Sequence, residues 1–155
     1  MTVPRSRRAA AALGAVSAGL LLLSACNKPT PLATITVGTN SVSSQTDCYN
    51  DGKDIGVLGL KKCLDPKSKN IETIKVDPDE TVRFGVDPSI AEKGWTILMN
   101  GQPLTDSSKK TYRTIPGSVF FNAQYGASGK STLVSIKQGE NKVSGLWSFL
   151  LTKDS

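Results

Sequence analysis

Residues 74–86, Ile74-Lys75-Val76-Asp77-Pro78-Asp79-Glu80-Thr81-Val82-Arg83-Phe84-Gly85-Val86, set the fold class of this chain. Ile74 and Val76 fall on one face of an extended segment, and Val82, Phe84 and Val86 fall on one face of the next. The Asp-Pro-Asp-Glu cluster between them carries turn residues and no apolar side chain. Strand, turn, strand is the reading, and it predicts a hairpin.

The same texture extends in both directions. Upstream, Thr34-Ile35-Thr36-Val37 alternates with the strand period, and Ser41-Val42-Ser43 resumes it after a Gly-containing break. Downstream, Trp95, Ile97 and Met99 share one face ahead of Asn100-Gly101, a strong hairpin turn signal. Further strands are expected near Thr111–Ile115, Val119–Tyr125, Leu133–Lys137 and Val143–Leu151, with Gly139-Glu140-Asn141-Lys142 as another turn. The only helical segment predicted is a turn over Pro88–Lys93, with Asp87 as its cap and Pro88 at the first position. Eight or so short strands broken by Gly, Pro, Asn and Asp predict an all-β fold, an antiparallel two-sheet sandwich of immunoglobulin-like or cupredoxin-like type. A small barrel is the alternative.

The domain is preceded by an export segment. Arg5, Arg7 and Arg8 are followed by an uncharged run from Ala9 to Leu23, too short for a comfortable membrane span, and then by Leu23-Ser24-Ala25-Cys26. This is the pattern of a lipobox. It predicts a lipoprotein signal peptide over residues 1–25, a thiol at Cys26 that carries diacylglyceryl and palmitate-type acyl chains, an extended tether over 26–32 and one domain over 33–155. Two acyl chains satisfy the requirement of two signals for stable anchoring. A plain secretory signal cut beside Cys26 is the alternative. Ser6-Arg7-Arg8 hints at twin-arginine export, but alanines replace the apolar pair expected next, and the export route stays open.

Charge and cysteine usage follow from that cut. The whole chain has a formal charge of +6; without Arg5, Arg7 and Arg8 the remaining 16 basic and 13 acidic residues leave +3. The charges are interspersed rather than gathered into a basic stripe, which argues against nucleic-acid binding. Of three cysteines, Cys26 is assigned to lipid, which leaves Cys48 and Cys63 as the one intramolecular pair. An oxidising compartment favours a disulfide between them. A zinc site is the alternative, but two thiols without histidine fall short of four ligands.

The chain contains no histidine, which excludes a Ser-His-Asp triad, histidine acid/base catalysis and a blue-copper site of two histidines and a cysteine. Gly126–Thr132 imitates the end of a phosphate-binding loop, but Gln124 stands where the first glycine belongs and a strand follows where a helix is needed. Ser107-Ser108-Lys109-Lys110 has the serine and lysine spacing of penicillin-recognising enzymes, in a polar turn. Asp77, Asp79 and Glu80 are the closest carboxylates, candidates for glycoside hydrolysis or calcium, and read most simply as a solvated turn. No catalytic residue, metal site or cofactor is expected. Among Trp95, Tyr112, Phe120, Phe121, Tyr125, Trp147 and Phe149 most should be core, and adjacent Phe120 and Phe121 should face opposite ways if both lie in a strand. An exposed aromatic beside Lys109 and Lys110 would suit a polymer or protein partner.

The Arg- and Ala-rich signal ending at Cys26, the segment Asp47-Cys48-Tyr49-Asn50-Asp51-Gly52, the run Phe84–Pro88 leading to Gly94-Trp95, and Gly145-Leu146-Trp147-Ser148-Phe149 together resemble a group of small, uncharacterised actinobacterial lipoproteins, a domain of unknown function. The resemblance implies a membrane-tethered envelope protein and brings no catalytic residue. The expectation is therefore a lipid-anchored, non-enzymatic binding or assembly module on the outer face of the bacterial cytoplasmic membrane. Its partners would be the membrane through Cys26 and an envelope protein or cell-wall polymer, with no nucleic acid. A small envelope hydrolase using carboxylates or a Ser-Lys pair is the alternative.

Overall fold

A computed structural model describes residues 29–45, 48–64 and 71–155. The expected signal peptide over residues 1–25 and the expected lipidation site Cys26 lie outside the described residues. Within them the protein is an all-β sandwich of two sheets. The four-stranded sheet has the order β2-β1-β5-β8, from β1 (Leu32–Val37), β2 (Asn40–Gln45), β5 (Thr81–Val86) and β8 (Tyr112–Pro116). The six-stranded sheet has the order β3-β10-β9-β6-β7, from β3 (Cys48–Tyr49), β6 (Trp95–Met99), β7 (Gln102–Pro103), β9 (Ser131–Gln138) and β10 (Gly145–Lys153). Strand β4 (Glu72–Val76) joins it by pairing in parallel with the second half of β10, from Phe149↔Glu72 to Lys153↔Val76. Every other strand pair is antiparallel. The four-stranded sheet ends on β2 and β8, so it does not close into a barrel.

The inward faces are those the alternation marks. Ile35, Val82 and Phe84 from one sheet meet Trp95, Ile97, Met99, Trp147, Phe149 and Leu151 from the other in a single core. On the solvent face of the smaller sheet, hydroxyls pair across β1 and β2, Thr34 with Ser43 at 2.8 Å and Thr36 with Ser41 at 3.0 Å. Asn100 and Gly101 both adopt positive φ, 51° and 82°. This is the backbone that a two-residue hairpin turn requires, and it joins β6 to β7 as expected.

The predicted hairpin over 74–86 does not form. Both strands exist, but β4 lies in the six-stranded sheet and β5 in the other, between β1 and β8. The Asp77–Glu80 turn is closed by Glu80 N–H donating to the Asp77 carbonyl at 3.0 Å and Asp79 N–H to the Asp77 carboxylate at 2.9 Å. It carries the chain across the core as an arch. Gly117 seals the arch from beneath, its N–H donating to the Glu80 carbonyl at 2.8 Å. A Cβ at Gly117 would stand 2.6 Å from the Asp77 carbonyl oxygen and 2.8 Å from that of Glu80, so only glycine fits against this backbone.

Two further expectations are corrected. Residues 119–125 are not a strand but two 3-10 turns, Gly117–Phe121 and Ala123–Tyr125. The Asn122 side chain accepts from Gln124 N–H at 2.9 Å, a local bond that competes with strand pairing. Phe120 is therefore fully buried against Phe84, ring centroids 5.9 Å apart, and Phe121 packs at the core margin instead of facing solvent. The second correction is a helix, α1 (Gly56–Cys63), that the two glycines in the segment conceal. It lies on the outer face of the six-stranded sheet, where Ile55, Leu60, Leu64 and Cys63 cover Leu98 and Leu146. The short helix α2 (Pro88–Ala91) sits where expected, with Pro88 in its first turn.

Candidate functional site

One end of the sandwich gathers the start of the domain, both helices and the cystine. Pro31 and Leu32, assigned from sequence to the tether, belong to the folded unit. The Trp147 indole N–H donates to the Pro31 carbonyl at 2.8 Å in a buried bond. Leu32 N–H donates to the Asp87 carboxylate at 2.8 Å, and Asp87 N–H donates back to the Leu32 carbonyl at 3.1 Å. Asp87 thus precedes α2 as expected, but its carboxylate holds the incoming chain and makes no bond to the helix.

Contacts continue from this clamp to α1. The Trp147 ring packs on Tyr49, centroids 6.1 Å apart, and adjacent Cys48 forms a disulfide with Cys63, Cα atoms 5.8 Å apart, at the C-terminal end of α1. The expected pairing of Cys48 with Cys63 is present. Backbone bonds hold the intervening loop to the β9–β10 connection, Asn50 N–H to the Ser144 carbonyl and Ile55 N–H to the Val143 carbonyl. Beneath it Gln138, 1% exposed, donates to the Ser89 carbonyl at 2.9 Å and accepts from the Ser144 hydroxyl at 2.9 Å. Among the described residues no buried side-chain nitrogen or oxygen lacks a partner.

The candidate reactive groups are scattered. The Ser107 hydroxyl donates to the Glu140 carboxylate at 3.4 Å, and the Lys110 backbone N–H donates to the Ser108 hydroxyl at 3.2 Å. The loop that carries them is set by Trp95, whose backbone exchanges two bonds with Ser108 at 2.9 Å and whose indole donates to the Lys110 carbonyl. Gly126–Ser131 leads into β9, not into a helix. Asp77, Asp79 and Glu80 occupy the exposed arch. Among the described residues no three Asp, Glu, Cys or His side chains group in a way that could hold a metal ion.

Trp95, Phe120, Trp147 and Phe149 are core, whereas Tyr112 and Tyr125 are more than half exposed. Tyr112 lies beside Lys110 in a shallow groove of about 410 Å³ lined also by Ser107, Ser108, Arg113 and Thr114. The Arg113 guanidinium stacks over Trp95 at 5.9 Å and donates to the Thr105 hydroxyl and the Asp106 carbonyl. Its charge is committed to the fold, so Lys110 and Tyr112 are the groups this groove offers outward.

Two features escaped the sequence. The clamp at Asp87 had a signal only in Asp87 preceding Pro88, which fits a helix cap equally well. The outer face of α1 exposes Val57 and Leu58, each 84% accessible, and no periodicity in an eight-residue segment with two glycines announces it. No protein-family model, curated protein or solved structure matches this chain.

Proposed function

We propose that this protein is an exported lipoprotein, acylated at Cys26 and held on the outer face of the cytoplasmic membrane, whose sandwich works as a non-enzymatic binding or assembly module. The observation that carries the reading is Leu23-Ser24-Ala25-Cys26 after an arginine-led apolar segment, which supplies thiol, cleavage site and export signal together. The Cys48–Cys63 disulfide supports it, because such bonds persist in oxidising compartments. No helix among the described residues is long and apolar enough to cross a membrane. The groove at Lys110 and Tyr112 is the face offered to an envelope protein or cell-wall polymer, since an exposed ring beside a cation suits both stacking and polar contact.

The anchor is tested with Cys26→Ala, which should leave the protein uncleaved or untethered. Detergent phase partitioning is expected to move it from the detergent to the aqueous phase, and the wild-type mature N-terminus should carry the diacylglyceryl mass. An unmodified Cys26 overturns the reading.

The non-enzymatic assignment is tested with Ser107→Ala and Lys110→Ala. Both side chains lie in an exposed connection, so each change should alter stability by no more than about 0.5 kcal/mol. Serine-directed probes are expected to leave the wild type unlabelled. Labelling at Ser107 that disappears in Lys110→Ala would install the hydrolase reading in its place.

A further inference from the structure

The anchored end of the molecule carries a second feature suited to a membrane. In α1, Ile55, Leu60, Cys63 and Leu64 pack onto the sheet, while Val57 and Leu58 project outward at 84% exposure. Among the described residues no packing partner accounts for apolar side chains at these two positions. Leu58 and Gly59 line an open hollow with Lys61 and Lys62 in the last turn.

Charge follows the same segment. The described residues from Asn50 to Leu64 hold Lys53, Lys61 and Lys62 against Asp51 and Asp54, and two of these lysines stand in the last turn of α1. Exposed apolar side chains beside lysines form the chemistry that inserts into the headgroup layer of anionic phospholipid.

Geometry supplies the proximity. Cys26 is five residues from Pro31, and an extended chain spans at most about 3.6 Å per residue, so the domain starts within roughly 18 Å of the acylated sulfur. Pro31 is fixed to Trp147, Trp147 packs against Tyr49 in a tilted ring contact, and Cys48 is bonded to Cys63 of α1. The tether and the helix therefore leave the same end of the sandwich. We infer that α1 is a second membrane contact: Val57 and Leu58 enter the interface of an anionic bilayer, Lys61 and Lys62 engage its phosphates, and the domain is held in one orientation instead of swinging on its lipid. This rests on acylation at Cys26.

The test uses the mature acylated protein on vesicles of phosphatidylglycerol and phosphatidylcholine with brominated acyl chains. Trp95 and Trp147 are fully buried, so wild-type emission should be insensitive to bromine, whereas Leu58→Trp places an indole at the proposed contact. The introduced indole is expected to be quenched, at a depth of about 5–10 Å below the headgroup boundary. Lys61→Gln and Lys62→Gln should each weaken docking about fivefold, equivalent to ~1 kcal/mol per lysine. If the protein stays on the vesicles with its acyl mass intact and the indole is unquenched, α1 is not a membrane contact while the anchor stands. Unquenched emission with cross-linking between copies through α1 would assign the face to self-association and overturn the inference likewise. A protein without acyl mass that does not sediment with vesicles removes the anchoring reading and this inference with it.

Discussion

Trp147→Ala is expected to cost about 3–5 kcal/mol of unfolding free energy, enough to consume much of the stability of a domain this size. The indole is fully buried in the inner face of β10, packs on Tyr49 and donates the bond that fastens Pro31. Truncation opens a cavity between the sheets and leaves the Pro31 carbonyl unpaired in a buried site. Trp147→Phe separates the two effects. It keeps most of the volume and loses only the donor, so a smaller loss of about 1–3 kcal/mol is expected. Urea unfolding followed by the remaining Trp95 emission measures both. Equal losses for the two variants would show that packing contributes little, and a loss under ~1 kcal/mol in Trp147→Ala would contradict the clamp itself.

Removing the cystine through Cys48→Ala with Cys63→Ala should destabilise the domain by about 3 kcal/mol, within the 2–5 kcal/mol typical of small secreted domains. The two positions are fifteen apart in the chain, and the link limits the freedom of that loop when unfolded. A local consequence accompanies it. An eight-residue helix is not stable alone, and α1 is held by its apolar face and by Cys63. Hydrogen exchange in the double variant should accelerate first over residues 56–63, while β9 and β10 stay protected. Non-reducing peptide mapping of the wild type should recover the linked fragments. Uniform loss of protection across the sandwich would show that the cystine supports the whole fold and not α1 in particular.

How far the sequence reveals this protein depends on the range of the interaction involved. Alternation marks which residues of β4, β5, β6 and β10 face the core, because that depends only on the two-residue repeat of a strand. The same pattern is silent on whether consecutive strands are neighbours in one sheet or face each other across two. Ile74 and Phe84 point inward in either case, and the Asp77–Glu80 arch therefore reads as a hairpin. The decisive contact is Gly117, forty residues from Asp77 and recognisable only once the carbonyls above it are placed. Phe120 and Phe121 misled for another reason, since the Asn122 side chain accepts from the Gln124 N–H and the apolar run is broken into 3-10 turns. Helix α1 was hidden because its stability comes from Leu98, Leu146 and a disulfide, none of them local. The pairing of Cys48 with Cys63 was legible by counting thiols, whereas the apolar outer face of α1 emerges only once the helix is laid on Leu98 and Leu146.

Strand β10 carries one more implication, which concerns the order of events during biogenesis. It runs through the six-stranded sheet with β9 on one side and β3 followed by β4 on the other. Residues 145–153 are thus the keystone that joins early segments of the polypeptide to late ones, and until they arrive β3 and β4 have no partner in that sheet. Such distant pairings make closure of the sheet slow compared with local structure. A chain made from its amino end therefore holds β3 and β4 without their partner in this sheet until residues 145–153 are free to join them. Completion of the larger sheet is then timed by β10, whatever the order in which the local turns form.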